Sequence, residues 1–377
     1  MKSTPVTCGY LPLVDSAPLI IAKELRFAAE VGLDLTLAQQ PSWSALRDRL
    51  AFGNLDFAHM LSPMPVAMSL GLGAATAKID ALMVLSLNGT VIGISDDLAQ
   101  AMKSHGWTNA FGAPKSIASA VLAAAQKPLR IGVPFPFSMH KLLVAYWLST
   151  DPAFCAETVQ IITVPPPQMA GAVADNRIDM FCVGEPWGSV AVQQSGAHLI
   201  LSSSAIWQSA PEKVLGARRD WVAKNRETTD RMIRATYLAA QWLEQPQNIP
   251  LAIDILASSA HLDLPDHAIE PALTGQFAPN FISFHNGAAN FPWESQAQWI
   301  ANQLTQRPQN QHVFRSDIYR EAIMPLGANL PKVSHKPEGA MTHPTAIAGT
   351  KGPLILGPDT FFDGAIFDFR GEILPKN

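Results

Sequence analysis

The chain has 377 residues, 48% of them hydrophobic and only 15% charged, a balance that describes buried cores rather than a disordered chain. Its 27 basic and 31 acidic residues give a net charge of -4, and no Lys/Arg stripe is present to drive direct nucleic-acid binding. The length suits two compact lobes better than one core, and no apolar run approaches the roughly 20 residues of a membrane helix.

Met1-Lys2-Ser3-Thr4-Pro5 leads straight into Val6-Thr7-Cys8-Gly9-Tyr10, with no apolar stretch or small-residue cleavage site. The expectation is therefore a cytoplasmic protein; an exported protein given without its signal is the alternative. Residues 6–11 read as a strand. Asp15-Ser16-Ala17-Pro18 reads as a helix start with a capping side chain and Pro in the first turn. That helix continues over 19–29 and stops at Gly32, before an alternating strand over 33–37. A second helix runs from Ser42 to about Gly53, and 57–61 and 81–87 are strands.

The middle third repeats this grammar: strand 129–133, helix 138–148, strand 159–164, helix 168–174, strand 180–183, and a helix from Pro186. Strand and helix in alternation imply a mostly parallel sheet covered on both faces. Two segments align locally. Asn54-Leu55-Asp56-Phe57 precedes Pro63 as Arg177-Ile178-Asp179-Met180 precedes Pro186, with the same Asp-to-Pro interval. The two lobes thus share one plan. Residues 82–94 and 205–217 read as the lobe-crossing strands, making 1–90 plus 205–377 a discontinuous first lobe and 91–204 the second. Helices are expected over 228–244, 293–304 and 317–323. From Gly327 onward Pro and Gly accumulate, which reads as a wrapping tail.

No GxGxxG, Walker loop, HExxH, nucleophile elbow or zinc-type spacing occurs, so neither a metal nor a cofactor is expected, nor an enzyme. Cys8, Cys155 and Cys182 form no CxxC pair and read as reduced, buried thiols, Cys8 half-buried at a strand end. Asp96-Asp97 reads as a helix start rather than a metal pair.

Five residues at strand ends and helix starts remain as ligand-binding candidates. Trp43 precedes a helix, where a donor-only indole N–H suits an oxyanion; a core tryptophan is the equal alternative. His140 lies in the opening turn of the middle-lobe helix, where a surface or capping histidine is the commoner outcome. Gly184, between strand and helix, admits close backbone approach or makes a simple tight turn. Lys213 neutralises an anion or is an ordinary solvated lysine. Thr90, after Asn88-Gly89, offers one hydroxyl donor.

These residues sit in segments that resemble the nitrate-binding family, which includes the solute-binding subunits of nitrate and bicarbonate ABC transporters. The matching stretches include Gly9-Tyr10-Leu11-Pro12-Leu13, Ser42-Trp43, Ala58-His59-Met60-Leu61, Val164-Pro165-Pro166-Pro167-Gln168-Met169, Phe181-Cys182-Val183-Gly184-Glu185-Pro186-Trp187 and Pro211-Glu212-Lys213-Val214-Leu215-Gly216. The likeness runs from about residue 6 to about 245 and loosens afterwards. It implies a type II periplasmic-binding-protein-like α/β fold with a central cleft, and a nitrate site on Trp43, His140, Gly184 and Lys213. Thr90 departs from the glutamine of the nitrate carriers. Lys213 stands where the bicarbonate branch has an acidic residue and a calcium ion, which favours nitrate or nitrite. Without an export signal in the given sequence, the chain resembles the transporter subunit less and the cytosolic NasS-type sensor more, whose partner is a NasT-type antiterminator response regulator. The expectation is thus a non-enzymatic receptor in which Lys213, with His140 if protonated, balances the anion. The alternatives are an exported transport subunit and an enzyme on the same fold.

Overall fold

The computed structural model describes residues 3–73, 77–108, 111–126, 128–278, 281–305 and 312–368. Met1, Lys2 and the tail beyond 368 lie outside the described residues. The chain starts with β1 (Thr4–Tyr10), whose alternating burial gives way to full burial over its last three residues. A short 3-10 turn, Val14–Ser16, then feeds the helix Ala17–Glu24. Gly32 adopts φ +77° before β2 (Leu33–Gln39), a conformation that costs glycine no Cβ clash. The helix Trp43–Ala51 follows, capped by Ser42, whose Oγ accepts the Ala45 N–H. Next come β3 (Phe57–Leu61), the helix Pro63–Ser69 and β4 (Ile79–Asn88).

Asn88 and Gly89 both take positive φ, 57° and 89°, so the first crossing is a break between two strands and not the single strand expected over 82–94. Beyond it lie β5 (Thr90–Ile94), β6 (Leu129–Val133), β7 (Val159–Thr163), β8 (Met180–Gly184) and β9 (His198–Ser202). The chain returns through β10 (Pro211–Arg218) and later adds β11 (Ile282–Ser283).

Two sheets result, ordered β2-β1-β3-β10-β4-β11 and β7-β6-β8-β5-β9. The expected mostly parallel sheets are in fact mixed. β10 runs antiparallel to both β3 and β4, and β5 antiparallel to both β8 and β9. The reason is topological: each of these strands enters its sheet from the other lobe and so arrives from the opposite end. The Asp-to-Pro repeat has a structural counterpart. Asp56 Oδ2 accepts the Thr7 N–H at 2.8 Å, and Asp179 Oδ2 accepts the Arg130 N–H at 2.8 Å. In each sheet the aspartate clamps the strand pair that delivers a strand end to the space between the lobes.

The long helix Arg226–Leu243 buries Met232, Ile233, Ala239, Ala240 and Leu243. The segment after Gly327 is more ordered than a plain tail, since it holds a hairpin of β12 (Thr345–Gly349) and β13 (Gly352–Leu356). Its short strands show no clean alternation, which hid them from periodicity. Further on, Asp359 Oδ1 accepts the Trp207 indole N–H at 2.7 Å and Asp363 Oδ1 accepts the Tyr146 hydroxyl at 2.9 Å. Cys8 and Cys182 are buried and Cys155 is exposed. Cys8 is thus more buried than expected, being covered on both faces of β1, and Cys155 less so. Among the described residues no helix is long and apolar enough to cross a membrane.

Candidate functional site

The ends of β1 and β8 meet between the two sheets. Val14 donates its N–H to the Glu185 carbonyl at 2.9 Å, and the Trp187 indole N–H reaches the Pro12 carbonyl at 2.9 Å. A buried polar cluster fills the space behind this contact.

Lys213 is its centre. On β10 it pairs with Leu61 of β3 and Ser86 of β4, so neighbours cover both edges and its side chain is 0% exposed. The ammonium lies 2.6 Å from Asp15 Oδ2 and 2.8 Å from Glu212 Oε1, and 5.5 Å from the Trp43 ring centroid. Consecutive strand residues normally face opposite sides. Register shifts on either side of Lys213 in the β10–β4 ladder explain how both Glu212 and Lys213 turn toward the same space.

Asp15 is no helix cap: its other oxygen, Oδ1, sits 3.0 Å from His59 Nε2. His59, in the middle of buried β3, is tilted against Trp43 with centroids 5.6 Å apart. Trp43 is the first residue of its helix and His140 the second of Met139–Ser149, each helix capped by a serine hydroxyl. Both side chains therefore enter at helix N-termini, one from each lobe. His140 Nδ1 is 3.3 Å from Glu212 Oε1, but the angle makes no hydrogen bond. Thr90 and Gly184 are direct cross-strand partners. A Cβ on Gly184 would stand 3.4 Å from Asp15 Oδ2 and 3.9 Å from His140 Nε2, so its missing side chain leaves room at the cluster.

The structure thus brings all five candidates, Trp43, Thr90, His140, Gly184 and Lys213, into one buried neighbourhood. Asp15, His59 and Glu212 belong to it as well and were not singled out from the sequence. A histidine inside the apolar run Phe57-Ala58-His59-Met60-Leu61 was the available signal, because buried strands rarely spend a position on an ionisable group.

The electrostatics differ from expectation. Burial alone would raise the Asp15 carboxyl, but Lys213 and the His59 N–H outweigh it and hold it at about 2. Burial raises Glu212 to about 7, with Lys213 pulling the other way. Burial also pushes His140 well below its usual value, helped by Lys213, and lowers His59 despite Asp15. His140 is therefore neutral at physiological pH rather than a second cation. Nor is Lys213 an uncompensated charge, since two carboxylates already flank it. Burial lowers its pKa but Asp15 and Glu212 raise it further, so it stays protonated.

Several polar atoms here are buried without a hydrogen-bond partner: Trp43 Nε1, Thr90 Oγ1, Glu212 Oε2, both oxygens of Asp15, and both ring nitrogens of His59 and of His140. The Cys182 thiol lies beside Thr90, whose hydroxyl opposes the rise that burial gives the thiol's pKa. Each such orphan costs on the order of 1–3 kcal/mol, and these gather from both lobes in one buried neighbourhood. Cavities of about 460 Å³ and 650 Å³ lie elsewhere, the first around Asn88, Gln208 and Asp359, the second around Tyr237, His285 and Tyr319. Among the described residues no group of three or more His, Cys, Asp or Glu side chains is placed to hold a metal ion.

Comparison with known proteins agrees with this architecture. The nitrate import ATP-binding protein NrtC of Synechocystis is 32% identical over 85% of this chain, which spans only 50% of that relative. The nitrate/nitrite binding protein NrtA of Nostoc is 28% identical over 98% of this chain and 84% of its own length. The crystal structure of the periplasmic nitrate-binding protein NrtA from Synechocystis superposes with a TM-score of 0.83 at 27% identity, covering 98% of this chain and 96% of that one. The fold is the two-lobed periplasmic-binding-protein arrangement. With its family model matched across residues 1–257, the chain belongs to the NMT1-like family.

Proposed function

We propose that this protein is a non-enzymatic receptor for a small monovalent oxyanion, nitrate or nitrite, held between its two lobes by Trp43, Thr90, His140, Gly184 and Lys213. The observation that carries the reading is the set of buried, unpartnered atoms contributed by both lobes around one buried ammonium. Nitrate is a planar, weakly basic anion, so each hydrogen bond to it is modest. Affinity has to come from several donors together with exclusion of water. Trp43 Nε1 and the Thr90 hydroxyl supply donors, neutral His140 supplies one ring N–H, and Lys213 supplies a cation whose charge it already shares with Asp15 and Glu212. The similarity to NrtA over nearly the whole chain supports the same ligand class.

A thermal-shift screen with nitrate, nitrite, bicarbonate and sulfate tests the reading. Ligand at about a thousand times its Kd stabilises by about 4 kcal/mol. A melt unmoved by either nitrogen oxyanion would end it.

We further propose that the receptor is a cytoplasmic sensor whose partner is a NasT-type antiterminator response regulator, a role supported by the resemblance noted in the sequence. A transport role is the second reading, supported by the similarity to NrtA and NrtC. If the partner engages only the open form, anion and partner oppose one another by the same factor. Co-purification with the regulator, lost on adding nitrate, supports the sensor. Capture of ABC transporter components in its place supports transport.

A further inference from the structure

We infer that Glu212 is the proton acceptor that makes anion binding proton-linked, with Glu212 Oε2 taking a proton from solvent as the anion enters. This rests on the oxyanion reading above.

The argument begins with charge in a closed space. Lys213 already serves two carboxylates, Asp15 at 2.6 Å and Glu212 at 2.8 Å, and all three side chains are buried. With both carboxylates ionised the trio carries a net negative charge before any guest arrives. A bound anion would add a second uncompensated negative charge where water cannot screen it. One proton cancels the charge the anion adds, and the geometry says where it goes. Asp15 makes no hydrogen bond, but each of its oxygens lies against a nitrogen, Oδ2 at 2.6 Å from Lys213 Nζ and Oδ1 at 3.0 Å from His59 Nε2. Glu212 gives Oε1 to Lys213 while Oε2 is buried with no hydrogen-bond partner. A proton on Oε2 turns an orphaned acceptor into a donor, which is what an oxyanion requires.

The groups facing Glu212 agree with this assignment. Lys213 of β10 favours its ionised form, whereas Asp15, from the turn after β1, disfavours it. His140, from the second lobe, is neutral, and the buried thiol of Cys182 on β8 is pushed up and un-ionised. Burial is the largest influence and raises Glu212 to about 7, so the proton is partly present near neutrality and missing in mild alkali.

Calorimetry of nitrate and nitrite binding in HEPES and in Tris at about pH 6 and about pH 8.5 reads the linkage, because the two buffers differ in ionisation heat. The expected result is close to no proton uptake at the lower pH and about one proton per anion at the higher, with affinity falling about tenfold per pH unit there. Glu212→Gln, which imitates the protonated acid, should bind more tightly than wild type at about pH 8.5 and lose the buffer dependence. Binding with identical heats in both buffers at both pH values overturns the inference and leaves the receptor reading standing. Undiminished proton uptake by Glu212→Gln overturns it too, by moving the proton to a histidine. Should neither anion bind at either pH, both the inference and the receptor reading fail. The wild-type proton count needs no variant, so a misfolded Glu212→Gln does not remove the test.

Discussion

Asp15 Oδ2 and Lys213 Nζ lie 2.6 Å apart with neither side chain more than 1% exposed. These residues are about two hundred positions apart in the chain, and the contact joins the turn after β1 to the returning strand β10. Removing one partner of such a pair leaves a buried charge with nothing to offset it. Lys213→Met should lose about 3–5 kcal/mol of stability at neutral pH, and adding Asp15→Asn should recover a large part of that. Urea midpoints of the two single variants and the double variant check the coupling. Additive losses would show that the pair is not a unit. Charge reversal at Lys213 is a poorer test of binding, since a third carboxylate in this space disrupts the fold itself.

Trp43→Phe separates ligand from core. The ring still packs beside His59 and Lys213, while the unpartnered indole N–H is gone. The melting temperature should change little, and nitrate affinity should fall by about tenfold or more, as fits loss of a charge-assisted hydrogen bond of about 1.5–3 kcal/mol. Calorimetry decides it. Wild-type affinity in this variant would make Trp43 a packing residue only.

Gly184→Ala places a methyl 2.7 Å from Leu13 Cδ2 and within 4 Å of both Asp15 and His140. Overpacking of this kind costs about 1–3 kcal/mol, and the methyl also intrudes on the guest's space. Affinity should fall more than about tenfold while the far-ultraviolet circular dichroism stays native. Unimpaired binding would show that the guest sits elsewhere.

Glu185 sits beside the contact between lobes, its Oε2 accepting the Ser189 N–H at 3.1 Å. Burial raises its carboxyl to about 7, against the opposing pull of that N–H. A folded pKa above the unfolded value gives stability that is complete below about pH 4.5 and lost as pH rises through 7. Glu185→Gln does not titrate, so its stability relative to wild type should rise between about pH 5 and pH 8.5, by on the order of 3 kcal/mol. Urea melts of both proteins across that range measure the difference. A gap that does not vary with pH would falsify the buried-acid assignment.

Much of the local structure could be read directly. Ser42 and Ser138 were legible as helix starts and do cap their helices. Gly32 takes positive φ just before β2 as expected, but the helix expected to run over 19–29 ends at Glu24 and breaks at Arg26, φ 65°, before a short helix Phe27–Glu30. The Asp-to-Pro repeat became matching clamps at Asp56 and Asp179. The placing of Trp43 and His140 at helix openings followed from the same local signals. In each case the cause lies within a few residues, because backbone torsion, capping and hydrophobic period are short-range properties.

What the sequence alone could not supply is the company each charged residue keeps. Asp15 precedes a helix and looks like a cap in any local window, yet it belongs to Lys213 and His59. Glu212 and Lys213 look like consecutive, opposite-facing strand residues until the irregular β10–β4 register turns both inward. His140 could be expected as a cation, but burial decides otherwise. Side-chain identity sets what each group can do. Only the pairing of β3 with β10, and the burial that comes with two lobes meeting, sets which groups share a dry space and hence which of them stay charged.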